Sequence, residues 1–258
     1  MQPASRNEIT LLRKLKLRKH RQKEQLFVVE GFRAVHQLLA NGIVEVLTVF
    51  TEERFVEELI RSNGFSEKLR TLGKEDLDHV VDTETPQGIL ALCRMPVEPD
   101  SNELFDLPSG VIIAFDRIQD PGNAGTMIRT AAWFGVQGIL LSSGSVDVYN
   151  PKVVRSTAGA TGTIPILSGD LEEMLHQAEQ NDWQVMLMDG SADAFSIREV
   201  HPYKKSILLI GNEANGVDPK LFGPQRMNVR IDGEEQEHIE SLNAAIALGI
   251  GLFELFAR

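Results

Sequence analysis

Cysteine occurs once in the 258 residues, at Cys93, which excludes an internal disulfide framework and a thiolate metal cluster. Its setting in Ile89-Leu90-Ala91-Leu92-Cys93 reads as a buried strand, so packing rather than catalysis is its expected role. The six histidines, His20, His36, His79, His176, His201 and His238, never fall at HxxxH or HxH spacing, and no metal is expected. No apolar run reaches the roughly 18 residues of a membrane span. The N-terminus is polar and basic without an apolar stretch for export, so no membrane is expected as partner and the cytoplasm is the expected compartment. Neither GxGxxG after the first strand nor GxxxxGK followed by Ser or Thr occurs, which argues against a dinucleotide or nucleoside-triphosphate enzyme.

What is present is ordinary for a folded chain, with 42% hydrophobic and 24% charged residues. The net charge of −11 speaks against nucleic acid until its distribution is considered. Residues 10 to 23 hold Arg13, Lys14, Lys16, Arg18, Lys19, Arg21 and Lys23 with no acid, so this arm is a basic patch on an acidic protein. Leu11, Leu12, Leu15 and Leu17 make it a partly amphipathic helix that can dock on its own domain while presenting charge. A plain solvated helix is the bland alternative.

Strand-like runs at Leu26 to Val29, Val46 to Phe50 and Ile89 to Leu92 alternate with helical patterns at Arg33 to Ala40 and Arg54 to Ser62, a compact α/β module. A stretch rich in Pro, Ser, Asn, Asp and Glu then predicts a linker over 98–109, separating an N-terminal domain (1–97) from a C-terminal one (110–258). In the latter, runs at Val111 to Phe115, Ile139 to Ser142, Val185 to Met188, Ile207 to Ile210 and Val229 to Ile231 alternate with helices. Such alternation builds a parallel sheet whose ligand site lies at the strand C-termini. The last helix, Ser241 to Arg258, is apolar nearly all round and is expected to be buried, either in the core or at a subunit interface.

The most informative stretch is Asp116 to Gly135, which places Asn123 and Arg129 at a strand-to-helix junction. Pro121 and Gly122 force the turn, and the helix is expected to begin near Ala124. A long Arg side chain reaching back along the helix can converge on the Asn amide, a pair suited to a phosphate and a sugar hydroxyl. An Asn N-cap beside a surface Arg is the plain alternative. Two later segments add to this junction: Gly211-Asn212-Glu213-Ala214-Asn215-Gly216 after the strand Ile207 to Ile210, and Glu240-Ser241-Leu242-Asn243 ahead of the last helix.

In this order the three segments resemble the SpoU family of RNA ribose 2′-O-methyltransferases, whose pattern joins a PxNxGxxxR-like element, a GxExxG loop and an SLN-bearing helix. The resemblance extends upstream to Phe27-Val28-Val29-Glu30-Gly31-Phe32-Arg33 and Thr85-Pro86-Gln87-Gly88, and to Asn150-Pro151-Lys152-Val153-Val154-Arg155. It implies an α/β fold in which a small ribosomal-protein-like RNA-binding domain precedes a trefoil-knotted parallel-sheet methyltransferase domain. It also implies S-adenosylmethionine as cofactor, RNA as partner, with ribosomal RNA favoured over transfer RNA, and a homodimer. Departures fall at Ile231 to Ile239, which lacks the Pro and Met of many members and carries Asp232, Glu234, Glu235 and Glu237, and at Ala244-Ala245, where Val-Ser is usual. The acidic loop is expected to be solvated and to make cofactor binding modest.

The same resemblance implies roles. Arg129 would activate or stabilise the ribose 2′-hydroxyl and Asn123 orient the Arg or the ribose, with Glu213 organising its loop and pairing with Arg129 or another cation. Ser241 and Asn243 would cap and hydrogen-bond near substrate and cofactor, and the main chain of Gly211, Ile231 and Leu242 would clasp the cofactor. A guanidinium with a reference pKa of about 12.5 or more is a poor base, so either an RNA phosphate relays the proton or Arg129 acts electrostatically. Lys14, Lys16, Arg18, Lys19 and Arg33 are the expected RNA contacts, and Tyr149 and Trp133 are candidates for base stacking or for packing. Two rivals remain, a catalytically silent RNA-binding protein on the same scaffold and a nucleotide-binding oxidoreductase.

Overall fold

Short apolar strands alternating with amphipathic helices build two separate sheets in the computed structural model, which describes residues 2–57, 68–81, 83, 86–191, 193–200, 203–233 and 241–256. In chain order the elements are β1 (Gln2–Pro3), α1 (Arg6–Lys14), α2 (Arg18–Glu24), β2 (Leu26–Glu30), α3 (Phe32–Asn41), β3 (Val46–Thr51), β4 (Leu69–Thr71), α4 (Lys74–Val80) and β5 (Ile89–Arg94). There follow α5 (Ser101–Phe105), β6 (Gly110–Phe115), α6 (Pro121–Phe134), β7 (Gly138–Ser142), α7 (Pro151–Ser156), β8 (Ile166–Gly169) and α8 (Leu171–Gln180). The chain closes with β9 (Gln184–Met188), β10 (Phe195–Ser196), β11 (Lys205–Ile210), β12 (Met227–Arg230) and α9 (Ala244–Phe256). Two compact units result: Met1–Val97 with Asp147–Thr163, and Glu98–Val146 with Ile164–Arg258.

The first unit carries a mixed sheet in the order β1-β4-β3-β5-β2, with β5 antiparallel to both β2 and β3. Strand β5 is apolar from Ile89 to Cys93, which lets both of its faces be covered. Ile89, Ala91 and Cys93 join Phe27, Val29, Val35 and Leu38 on one side, whereas Leu90 and Leu92 meet Leu12, Leu15, Phe50 and Leu77 on the other. Burial pushes the Cys93 thiol far above its ordinary pKa, in keeping with an inert packing role.

The basic arm is two helices rather than one. A capping box starts α1, with the Glu8 amide donating to Ser5 Oγ (3.3 Å) and the Ser5 amide to Glu8 Oε2 (2.7 Å). Leu12 and Leu15 are buried, each worth roughly 1.5–3 kcal/mol, and dock the arm on its own unit, while Leu17 is left 54% exposed. Arg21, expected on a solvated face, is 2% exposed: its Nε and Nη2 reach Asp147 Oδ2 at 3.1 and 2.5 Å, and Nη1 donates to the Leu15 and Lys16 carbonyls, both at 2.7 Å. Asp147 begins the segment 147–163, which sequence reading placed in the C-terminal domain. Here Val154 enters the core of the first unit, and the Tyr149 ring lies 4.9 Å from that of Phe27, so packing wins over stacking for this tyrosine. A Cβ on Gly159 would lie 2.8 Å from Gln37 Cβ, which shows how closely the segment's backbone rests on α3. The helix expected at Arg54 to Ser62 is described only to Glu57 and starts as a single 3-10 turn, Glu53–Phe55; its remainder, like Thr85, lies outside the described residues.

The second unit carries a seven-stranded, wholly parallel sheet in the order β10-β12-β9-β11-β6-β7-β8. Residues 98–109, expected as a linker, include α5, because Leu104 and Phe105 are too apolar to leave in water and join the core of Trp183, Leu187 and Leu209. The Trp183 indole donates to the Phe105 carbonyl at 2.9 Å. Helix α9 is buried on one side only within this chain. Ala245, Leu248, Gly251 and Leu252 face inward, but Ile246, Phe253 and Phe256 are 57%, 58% and 41% exposed. Among the described residues no helix is long and apolar enough to cross a membrane, and no cluster of His, Cys, Asp or Glu is arranged to hold a metal ion.

Candidate active site

Strands β6 and β11 are neighbours in register, Phe115 opposite Ile210, so the loops leaving their C-terminal ends lie side by side. The first loop enters α6 at Pro121, whose missing N–H costs nothing at that position. The N-cap is Asp120, whose Oδ1 accepts from the Asn123 amide at 2.7 Å. Asn123 is therefore inside the first turn rather than the cap, and its side chain is free for other partners.

The second loop is drawn tight at Gly211, where a Cβ would sit 2.3 Å from the Gly216 carbonyl carbon and the Val217 nitrogen. The amides and carbonyls of Asn212 and Gly216 pair across the turn at 3.0 and 2.9 Å. Glu213 at its tip accepts from the Gln119 amide (Oε2, 3.2 Å), the Asp120 amide (Oε1, 3.2 Å) and Asn123 Nδ2 (Oε1, 3.2 Å). Partial burial would raise the Glu213 carboxyl, but hydrogen bonds from its own backbone, Asn123, Gln119 and Asp120 outweigh it and hold the group below its ordinary pKa.

Asn123 extends the chain. Its Oδ1 accepts from Asn243 Nδ2 at 3.0 Å, and Asn243 Oδ1 accepts in turn from the Ala245 and Ile246 amides at 3.0 and 3.3 Å, capping α9. Each amide orientation is thereby fixed: Oδ1 of Asn243 must face the helix amides, which turns its Nδ2 to Asn123, which turns the Asn123 Nδ2 to the carboxylate. Three segments separated by 90 and 120 residues meet in one line of hydrogen bonds.

Other expected residues lie differently. Arg129 is exposed, and among the described residues it makes no hydrogen bond or ion pair. Six helical steps of about 100° leave it roughly 120° around the axis from Asn123, and no hydrogen bond joins the two. Glu213 takes backbone amides and a carboxamide where a cation was expected. Ser241 and Leu242 are exposed, and Ile231 is partly buried just beyond β12. Residues 234–239 of the atypical acidic loop, and Glu240 of the third segment, lie outside the described residues; Asp232 before them accepts from Ser196 Oγ and from Arg230 Nε at 3.3 Å. In the first unit Lys14, Arg18, Lys19 and Arg33 are exposed, whereas Lys16 is turned inward, its Nζ donating to the Val81 carbonyl at 2.9 Å. Trp133 is 87% exposed on α6, one turn beyond Arg129.

Sequence reading missed the scaffold beneath these groups. Asn212 Nδ2 donates to the Arg117 carbonyl at 2.7 Å while its Oδ1 accepts from the Ala214 and Asn215 amides. Buried Asp116 accepts the Asp218 amide at 2.7 Å. These residues stand in or beside the quoted segments, but their partners are 95 and 102 positions away, beyond any local pattern.

The SpoU rRNA Methylase family model matches residues 110–253 and an MRM3-like substrate binding domain matches residues 6–91. The chain belongs to the SpoU family. Among its relatives, the 23S rRNA (guanosine(2553)-2'-O)-methyltransferase RlmP of Bacillus subtilis (strain 168) is 30% identical over 99% of this chain and 98% of its own length. The 23S rRNA (guanosine-2'-O-)-methyltransferase RlmB of Xylella fastidiosa is 26% identical over 88% and 94%. Among solved structures, an AdoMet-bound rRNA methyltransferase from Sinorhizobium meliloti superposes with a TM-score of 0.83 at 26% identity, covering 99% of this chain and 96% of that one.

The family's cofactor fits these residues in kind. Gly211 and Ile231 follow parallel strands β11 and β12 at their C-terminal ends, where α/β sheets take ligands through main-chain groups. Leu242, 48% exposed, offers an uncovered apolar surface beside the capped start of α9.

Proposed function

We propose that this protein transfers a methyl group from S-adenosylmethionine to the 2′-hydroxyl of a ribose in ribosomal RNA. The observation that carries the reading is the hydrogen-bonded line Glu213–Asn123–Asn243 at the strand ends of a SpoU-family chain. Ribosomal RNA is preferred over transfer RNA because relatives aligned nearly end to end bear 23S rRNA names.

The cofactor, held by the main chain of Gly211, Ile231 and Leu242, supplies an electrophilic methyl group. What remains for the protein is to orient the ribose oxygen, to stabilise the charge that develops on it and to exclude water. Arg129 meets the second need: its guanidinium is exposed and shared with no carboxylate among the described residues, so its charge is available to an alkoxide. With a reference pKa of about 12.5 or more it stabilises rather than deprotonates. Asn123, Glu213 and Asn243 hold the strand-end loops in one arrangement, and Ser241 lies exposed beside them. Lys14, Arg18, Lys19 and Arg33 supply phosphate contacts from the first unit.

Three finer statements belong to the same proposal: the family's trefoil knot in the second unit, a ribosomal-protein-like character of the first, and a homodimer. The dimer is supported by the exposed Trp133, Ile246 and Phe253 of the packed pair α6 and α9, a surface whose apolar character asks for cover. The full chain should sediment as a dimer without RNA, and Ile246→Asp with Phe253→Asp should give a monomer; a monomeric parent at micromolar concentration removes the dimer. The function itself is tested by mapping ribose methylation in ribosomal RNA from cells with and without the gene. Loss of one 2′-O-methyl group is expected, and identical maps would refute the reading.

A further inference from the structure

Arg117 has a left-handed backbone, φ 52°, which a residue with a Cβ seldom adopts. It is held there from every side. Its amide donates to Ser142 Oγ at 2.7 Å and its carbonyl accepts from Asn212 Nδ2 at 2.7 Å. Its Nε and Nη2 donate to Asp116 Oδ1 and Oδ2 at 3.0 and 3.1 Å, and Nη1 lies 3.4 Å from Asp218 Oδ2. Strained backbone persists only where the surroundings over-determine it, and such positions gather at functional sites.

The consequence of the turn is found two and three residues later. The Gln119 and Asp120 amides point at Glu213, while the guanidinium bridges Asp116, at the start of this loop, to Asp218, at the end of the Glu213 loop. We propose that Arg117 is a positioning residue for methyl transfer: it turns the loop after β6 and ties it to the Glu213 loop, so that two amides and the Asn123 carboxamide converge on Glu213. This rests on the reading of the site as a methyl-transfer site. Arg117 itself touches no reacting atom. Among the described residues Glu213 makes no ion pair; the charged groups around the two loops are Asp116, Arg117, Asp120 and Asp218, so the amides and Asn123 set its carboxylate state.

The test uses the full chain, labelled S-adenosylmethionine and total ribosomal RNA from cells lacking the gene. Arg117→Gly permits the left-handed backbone and removes the whole side chain, guanidinium included. It should lower kcat about tenfold, leave KM for cofactor and RNA within about twofold, and move the acid limb of the kcat profile to higher pH as Glu213 loses its amide partners. Arg117→Ala, which keeps a Cβ on that backbone without the guanidinium that holds it there, should lose more than Arg117→Gly. A parent-like kcat in Arg117→Gly, or a lowered kcat with an unmoved acid limb and a matching loss of thermal stability, would reduce Arg117 to fold support and overturn the proposal. Arg129→Ala separates the two levels: inactivity there with a normal Arg117→Gly ends the positioning role alone, whereas full activity there ends the reading of the site.

Discussion

The two units differ in charge more than in size. The first holds 17 Lys and Arg against 15 Asp and Glu, a formal +2; the second holds 9 against 22, a formal −13. A net charge of that sign repels phosphate, so the proposed RNA contacts lie on the first unit and the proposed chemistry on a few residues of the second. The sheets divide in the same way. A mixed sheet gives the first unit two covered faces and no gathering of strand ends, whereas seven parallel strands bring every C-terminal loop of the second to one edge. Their polar cores differ too: the first is pinned by a buried ion pair, and the site of the second is aligned by neutral carboxamides ending on one carboxylate.

Removing one partner of the buried pair should give the largest effect. Arg21→Ala leaves Asp147, 14% exposed, without its cation, and should cost about 3–5 kcal/mol in denaturant unfolding of the full chain. A loss below about 1 kcal/mol would mean that the first unit does not depend on charge in its interior. Next comes Arg129→Ala, expected to slow single-turnover transfer at saturating RNA and cofactor by about a hundredfold, with cofactor affinity little changed. Near-parent rates would move the chemistry away from α6.

Asn123→Asp sharpens the contrast between amide and charge. It sets a carboxylate 3.2 Å from Glu213 Oε1, so the pair's upper apparent pKa must rise. Once protonated, the introduced carboxyl can donate as the carboxamide did. Transfer relative to the parent should fall about tenfold above that pKa and recover as pH drops through it; a ratio independent of pH would show that the line of amides carries no orientation. The smallest effect is expected from neutralising Lys14, Arg18 and Lys19, which should flatten the salt dependence of RNA binding by roughly 0.7–0.9 per lost phosphate contact. Adding Lys16→Gln should flatten it no further, because that ammonium is spent on the Val81 carbonyl. Equal salt slopes in mutant and parent would take RNA affinity out of the first unit's arm.

Much of this was legible locally. Runs such as Val111 to Phe115 and Ile207 to Ile210 fall within β6 and β11, and the segments bearing Asn123 and Glu213 meet because these parallel neighbours put their loops together, while Asn243 reaches Asn123 from the start of α9, which packs on α6. What escaped sequence reading depended on distant partners. Nothing near Arg21 announces Asp147, 126 positions away, and nothing near Lys16 announces Val81. Helix α5 was hidden because Pro, Ser and Asp around Leu104 and Phe105 outvote two apolar side chains in any composition window, although those two decide the packing. Helix α9 was read as buried in the core or at a subunit interface because its pattern is apolar on every side, and pattern alone does not say which sides the chain itself covers.

The two tryptophans stand at opposite extremes of environment. Trp183 is 1% exposed, its indole N–H held by the Phe105 carbonyl and its ring 5.8 Å from the Lys205 ammonium, while Trp133 is 87% exposed one turn from Arg129. Both rings lie in the second unit, so the protein carries its own optical reporters. Trp183 should emit at short wavelength and be screened from iodide in any state, whereas Trp133 should emit at long wavelength and be quenched freely in the monomer given by Ile246→Asp with Phe253→Asp. Any partner that covers the outer face of α6 would shift and shield Trp133 alone, and the unquenched fraction would read that event directly, without a label and without turnover.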